Sequence, residues 1–222
     1  MINETDNILT TPMPEQFDIT LYLDKQLENT SMPSESTLHI RRKHKYIRIH
    51  LQTKKKNEVK LEHLKELLPT LPDDGWSYHV ISSGNFDFWT YVPHLINLAG
   101  RFDEFYCSTW TMSRPIALEM LELYDSGKVG KISLLTGLYF KRRETAVYAF
   151  ILDGLLKRSQ RYIAFRNHTK LMLLGNDDYH LTIEGSANLT ANPRAEQFIL
   201  TNHKGLYEFN RAWMEEMLNG KT

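Results

Sequence analysis

From residue 76 to the C-terminus, short apolar runs of strand length alternate with longer stretches of helical period. "SYHVIS" is short and apolar, as a buried strand is. "FWTYVPHLINLAG" has helical spacing and stops at Gly100. "EFYCSTW" predicts a strand. Pro115 suits the first turn of a helix that "IALEMLELYDSGK" continues to Gly127. "KISLLTG" predicts another strand. In "ETAVYAFILDGLLK", Val147, Phe150, Ile151, Gly154 and Leu155 share one helical face. "RYIAF", "TKLMLL", "YHLTIE" and "QFILTN" are strands, with a tight turn at "GNDD". The closing helix "KGLYEFNRAWMEEML" presents Leu206, Phe209, Trp213 and Met217. Alternation of this kind restricts the chain to an α/β fold, a mixed sheet flanked by helices on both faces.

Upstream, the pattern differs. The first 35 or so residues are polar, carry Pro12, Pro14 and Pro33, and predict a loosely ordered arm. A basic hairpin follows, then a short helix at "VKLEHLKELL". This divides the chain into an N-terminal extension over 1–75 and a main domain over 76–222. Total charge is balanced, 27 basic against 27 acidic residues, so a polyanionic partner is not written into the bulk composition. Locally it is otherwise. Residues 41–60 hold nine basic residues, Lys54, Lys55 and Lys56 among them, against one acid, Glu58. That segment is either a solvated hairpin face or a contact to a phosphate backbone. The single cysteine, Cys107, excludes an intrachain disulfide and reads as a small buried hydrophobe. No signal pattern and no bilayer-length apolar run is present, so the expectation is a cytoplasmic protein with no membrane partner.

The chemistry concentrates in "HTKLMLLGNDDYHLTIEGSANLT", residues 168–190. Side chains alternate along a strand, so His168 and Lys170 point to one side while Thr169 and Leu171 point to the other. The antiparallel return through "GNDD" brings Gly185, Ser186 and Asn188 to the same end. An imidazole, a fixed cation, a hydroxyl and an amide around one small space suit a tetrahedral oxyanion, phosphate above all. An H-x-K triplet alone is weak, since about one is expected by chance in a chain with nine histidines. Its coupling to G-S-A-N across one hairpin is far more specific.

At these residues the chain resembles the phospholipase D superfamily. The signature of that family is H-x-K, four residues, Asp, then Gly-Ser-x-Asn after a hairpin. His168, Lys170, Gly185, Ser186 and Asn188 match, and Glu196 stands where the family carries a glutamate that orients the histidine. The likeness spans roughly 76–218 and implies a phospholipase D-like half-domain. One departure is plain: the expected aspartate is Gly175, with Asp177 and Asp178 nearby.

The resemblance implies a metal-independent phosphodiesterase with no cofactor. His168 would attack phosphorus and form a phosphohistidine. Lys170 and Asn188 would hold the non-bridging oxygens, with Ser186 supporting them. A second histidine would protonate the leaving oxygen, and no second H-x-K exists in this chain. Single-motif members pair two copies across a two-fold axis, and many are endonucleases of bacteria and phages. The implied partner is DNA or RNA, and the implied assembly is a homodimer. Lys141, Arg142 and Arg143 read as cations at a helix start, where the macrodipole disfavours them, so either an anionic ligand or nearby acids must balance them. Trp110, after a strand end, is either a core residue or a surface on which a base stacks. A phospholipid hydrolase and a catalytically silent nucleic-acid-binding module are the competing readings. Retention of His168, Lys170 and Asn188 stands against the silent one.

Overall fold

The computed structural model describes residues 57–190 and 194–220. The polar arm, most of the basic hairpin, and Lys54, Lys55 and Lys56 lie outside them.

Helix α1 covers residues 57–67. Strand β1 (Trp76–Ser82) leads through a 3-10 turn, Phe88–Thr90, into α2 (Tyr91–Ala99). There follow β2 (Phe102–Thr109), α3 (Arg114–Asp125), β3 (Val129–Gly137), α4 (Leu138–Arg143), α5 (Thr145–Lys157) and β4 (Arg161–Phe165). Strands β5 (Leu171–Gly175), β6 (His180–Gly185) and β7 (Glu196–Asn202) precede the last helix, α6 (Lys204–Leu218).

Local chemistry accounts for several boundaries. The Asp87 carboxylate accepts from the Thr90 N–H, and the Thr90 hydroxyl accepts from the Asp87 N–H, both at 3.2 Å, a reciprocal cap. Lys60 reaches the same carboxylate at 2.5 Å and ties α1 to it. The β5–β6 turn is held by Asn176, whose Oδ1 accepts from the N–H groups of Asp178 and Tyr179 at 3.0 and 2.7 Å.

The seven strands form one mixed sheet in the order β1-β7-β6-β5-β2-β3-β4. β2, β3 and β4 are parallel, joined by helical crossovers. β2–β5, β5–β6, β6–β7 and β7–β1 are antiparallel. Alternate residues of the central strands serve two cores. Phe105, Cys107, Leu134, Met172 and Leu174 face one side, where α1, α2, α3 and α5 pack. Tyr106, Leu135, Leu171 and Leu173 face the other, under α6. All five residues of β5 are buried, as burial on both faces requires. Each such aliphatic or aromatic side chain contributes about 1.5–3 kcal/mol on burial. The predicted mixed sheet with helices on both faces is therefore the fold, and it is consistent with a phospholipase D-like fold. Among the described residues, no helix is long and apolar enough to cross a membrane.

α6 differs from its predicted face. Tyr207, Asn210 and Met214 are buried, with Trp213, Met217 and Leu218 partly so, while Phe209 is 70% exposed. The stripe is turned by one position because Tyr207 and Asn210 satisfy their polar ends there. Tyr207 donates to Glu104 at 2.9 Å, and Asn210 Nδ2 donates to the Leu206 carbonyl at 3.1 Å.

Candidate functional site

The strand registers carry the hairpin residues and several strand ends to one edge of the sheet. Ser108 of β2 pairs with Leu171, Leu171 pairs with Glu184, Gly185 pairs with Phe198, and Glu196 pairs with Ser82. That edge thus holds the C-terminal ends of β1, β2 and β6 and the starts of β5 and β7. Parallel pairing of Thr109 with Thr136 adds the C-terminal end of β3. Crevices beyond the carboxyl ends of strands are where open α/β sheets bind ligands.

His168 and Lys170 lie in the extended segment just ahead of β5 rather than inside it. A closed ring of hydrogen bonds fixes that segment. Asn167 Nδ2 donates to Ser108 Oγ at 2.8 Å, and Ser108 and Thr169 hydroxyls share a 2.5 Å bond. The Thr169 hydroxyl and N–H both reach Asn167 Oδ1, at 2.8 and 3.0 Å. Asn167 is 6% exposed, so loss of a partner would strand a buried amide at about 1–3 kcal/mol. His168, between these anchors, is exposed. The predicted convergence is present: Lys170 Nζ lies 3.3 Å from His168 Nδ1 and donates to the His168 carbonyl at 2.8 Å. Partial burial lowers the Lys170 pKa from the usual lysine value, and the charge of Glu196 works against that shift.

Across the hairpin, the Gly185 N–H donates to the Lys170 carbonyl at 3.2 Å and closes the ladder. Ser186 spends its groups inside the β6–β7 pairing. Its hydroxyl donates to Glu196 and accepts from the Gln197 N–H at 3.1 Å, and its own N–H donates to the Gln197 carbonyl at 3.1 Å. The hydroxyl predicted to face a ligand therefore organises Glu196 and the strand end. Asn188 differs. Its amide makes no side-chain hydrogen bond among the described residues, and its Oδ1 is buried. The backbone beside it is docked: Leu189 donates to Thr109 Oγ1 at 3.4 Å and accepts from the Ser113 N–H at 2.8 Å.

Sequence reasoning undervalued an aromatic wall at this edge. Trp110 follows β2 and stacks on Tyr139, with centroids 4.1 Å apart and planes 21° from parallel. The same indole meets the His168 ring at 5.4 Å and 60°. Arg143 lies over Tyr139, 5.3 Å from its centroid, and Lys141 lies over Tyr148 at 5.7 Å. Lys141, Arg142 and Arg143 are not at a helix start. They form the last turn of α4, where the macrodipole favours cations. A break at Glu144, with φ −110° and ψ 46°, separates α4 from α5. No ion pair to a described carboxylate involves any of the three. Asn167 and Thr169, which flank His168 in sequence, were not singled out; their polar spacing around the histidine was the available signal.

Gly175 explains its own departure from the expected aspartate. It lies at the far end of β5, paired with Glu104. A Cβ there would fall 2.7 Å from Tyr207 Cζ and closer still to Oη. The phenol of α6 occupies the volume, bonded to the Glu104 carboxylate, which also faces Arg211 at 3.1 Å. The acidic group at this end thus comes from the neighbouring strand.

No second histidine of the described residues reaches the site edge by strand register. His180 pairs with Gly175 at the opposite end, and His203 caps α6 beside it, accepting from Leu206 N–H at 3.1 Å. His94 is buried in α2, 2.7 Å from the Leu68 carbonyl. His79 lies midway along β1, opposite Ile199, and His63 is on α1.

No protein-family model matches the chain, and no curated protein matches it. Among the solved structures that align with part of this chain are three distant ones. Polyphosphate kinase from Porphyromonas gingivalis aligns over 65% of this chain and 26% of its own, at 13% identity and TM-score 0.47. TrmBL2, an archaeal chromatin protein whose structure shows a mode of DNA binding, aligns over 84% and 69%, at 14% and 0.45. Phosphatidylserine synthase from Haemophilus influenzae aligns over 64% and 38%, at 10% and 0.47. The chain thus matches about a quarter of the kinase and well under half of the synthase.

Proposed function

We propose that this chain is a phosphodiesterase of the phospholipase D type, an endonuclease that cleaves DNA or RNA at a site shared by two copies. The observation that carries this reading is the convergence of His168 and Lys170, 3.3 Å apart at the sheet edge. Asn188, three residues beyond the Gly185 N–H that bonds the Lys170 carbonyl, supports it.

The chemistry follows from the groups present. A neutral imidazole nitrogen of His168 attacks phosphorus. The N–P bond forms as the P–O bond to the leaving nucleoside breaks. Lys170 and the Asn188 amide donate to the non-bridging oxygens as charge moves onto them. In the resting geometry Lys170 can donate to Nδ1, which leaves the ring proton on Nε2. Transfer of that ammonium to a bound phosphate frees Nδ1 to hold the proton and exposes the Nε2 lone pair. Glu196, held by Ser186 and close enough to influence Lys170, keeps that cation placed. A second histidine gives its proton to the leaving oxygen. It then takes one from the water that cleaves the N–P bond and restores His168. His168 of a second copy is the proposed source.

The test is cleavage of labelled DNA and RNA in excess EDTA. Cleavage should persist, vanish in His168→Ala and Lys170→Ala with circular dichroism unchanged, and fall about 10²-fold in Asn188→Ala. Absolute dependence on added magnesium, or wild-type rates in His168→Ala, would overturn the assignment.

A further inference from the structure

The aromatic wall has more organisation than core packing needs. Trp110 follows β2 and Tyr139 lies in the first turn of α4, just after the adjacent parallel strand β3, and the two meet beside the proposed nucleophile. Their contact is built into the backbone. A Cβ at Gly137 would lie 2.6 Å from Trp110 Cδ1 and 2.9 Å from the Asn167 carbonyl. One close approach therefore seats the indole and the loop that carries His168 together. Trp89 and Trp213 donate their indole N–H groups to Glu119 and Asn210 at 2.6 and 3.2 Å. Trp110 is partly exposed, and its N–H makes no hydrogen bond among the described residues. Tyr139 is 37% exposed, and the neighbouring guanidinium of exposed Arg143 has no described carboxylate partner.

A pair of near-parallel, partly exposed rings, ending in a planar cation and abutting the proposed phosphate site, matches one chemistry. Nucleobases stack on aromatic rings and on arginine planes, and every base has a π-face to offer. We propose that Trp110 and Tyr139 form the stacking platform for the base next to the scissile phosphodiester, with Arg143 closing over that base. This rests on the nucleic-acid reading above. It predicts that the substrate is engaged with at least one base unstacked from its neighbours, and that affinity depends on the presence of a base rather than its identity.

The experiment compares two ligands at one salt concentration, using full-length His168→Ala protein so that nothing is cleaved. One is a labelled oligothymidylate; the other is the same backbone with abasic residues throughout. The His168→Ala protein should bind the base-containing strand more tightly. Adding Trp110→Ala or Tyr139→Ala should weaken that complex about tenfold to a hundredfold and leave abasic binding unchanged. Trp110→Phe, which keeps a ring if the alanine variant fails to fold, should retain most of the preference. Equal affinity for the two ligands, or equal losses on both in the variants, overturns the platform while leaving the nuclease reading intact. Failure of the parent protein to bind either strand overturns the nucleic-acid reading and the platform with it.

Discussion

Gly175 and His168 show how neighbours decide what a residue can be. The family likeness leads to an aspartate at 175, but Tyr207 from α6 fills that space and bonds to Glu104 across the strand pair. Gly175→Asp should therefore force the phenol out and set a second carboxylate beside the first. Urea unfolding should show a loss of about 1–3 kcal/mol, the usual cost of overpacking. An unchanged midpoint would mean that Tyr207 yields freely and that the site tolerates an acid. The pairing of His168 with Lys170 was legible, because alternate residues of an extended segment share a side. The commitment of Ser186 to Glu196 was not legible, because the spacing of two residues on different strands depends on register.

At the scale of elements, α4 was the least legible. The sequence "YFKRRETAV" has no glycine or proline to announce the break at Glu144, so the cations read as a helix start. Packing decides the matter: Phe140 is buried while Tyr139 stacks on Trp110, and the chain turns after Arg143. The macrodipole thus no longer argues for an anion there, and the lack of described carboxylate partners remains the reason to look for one. Replacing Lys141, Arg142 and Arg143 with glutamine should flatten the dependence of log Kd on log salt. The slope should fall by about 2–3 units if each cation meets a phosphate. An unchanged slope would place these side chains in solvent. The face of α6 was misread for a related reason: tyrosine and asparagine score as half-polar, yet both are buried once their polar ends find partners.

At the scale of the whole molecule, the histidines impose a condition. His180 and His203 sit at the far edge of the sheet, and neither can serve the site at the near edge. On the proposed mechanism, a two-fold pair with both His168 side chains in one pocket would supply acid and nucleophile from identical residues. Refolding equal amounts of wild-type and His168→Ala chains together gives wild-type pairs in about a quarter of dimers by random assortment. Activity should fall to that fraction of an equal mass of wild type. A fall to half would mean that each chain works alone, with a residue other than a second His168 as its acid.

The sequence by itself determined the order of the strands and of the longer helices, α4 excepted, and the two-sided covering of the sheet. It also determined that His168 and Lys170 lie side by side ahead of β5. These follow from periodicity and from turn chemistry, which act over a few residues. Strand neighbourhood was decided only in three dimensions. The order β5-β2-β3 sets the end of β2 between the His168 loop and the end of β3, and so brings Trp110 against both His168 and Tyr139. Such contacts join residues roughly thirty or more apart in sequence, and no local pattern encodes them. They exist because the sheet buries most when its most apolar strands lie at the centre, and the side chains at its rim take the neighbours that order provides.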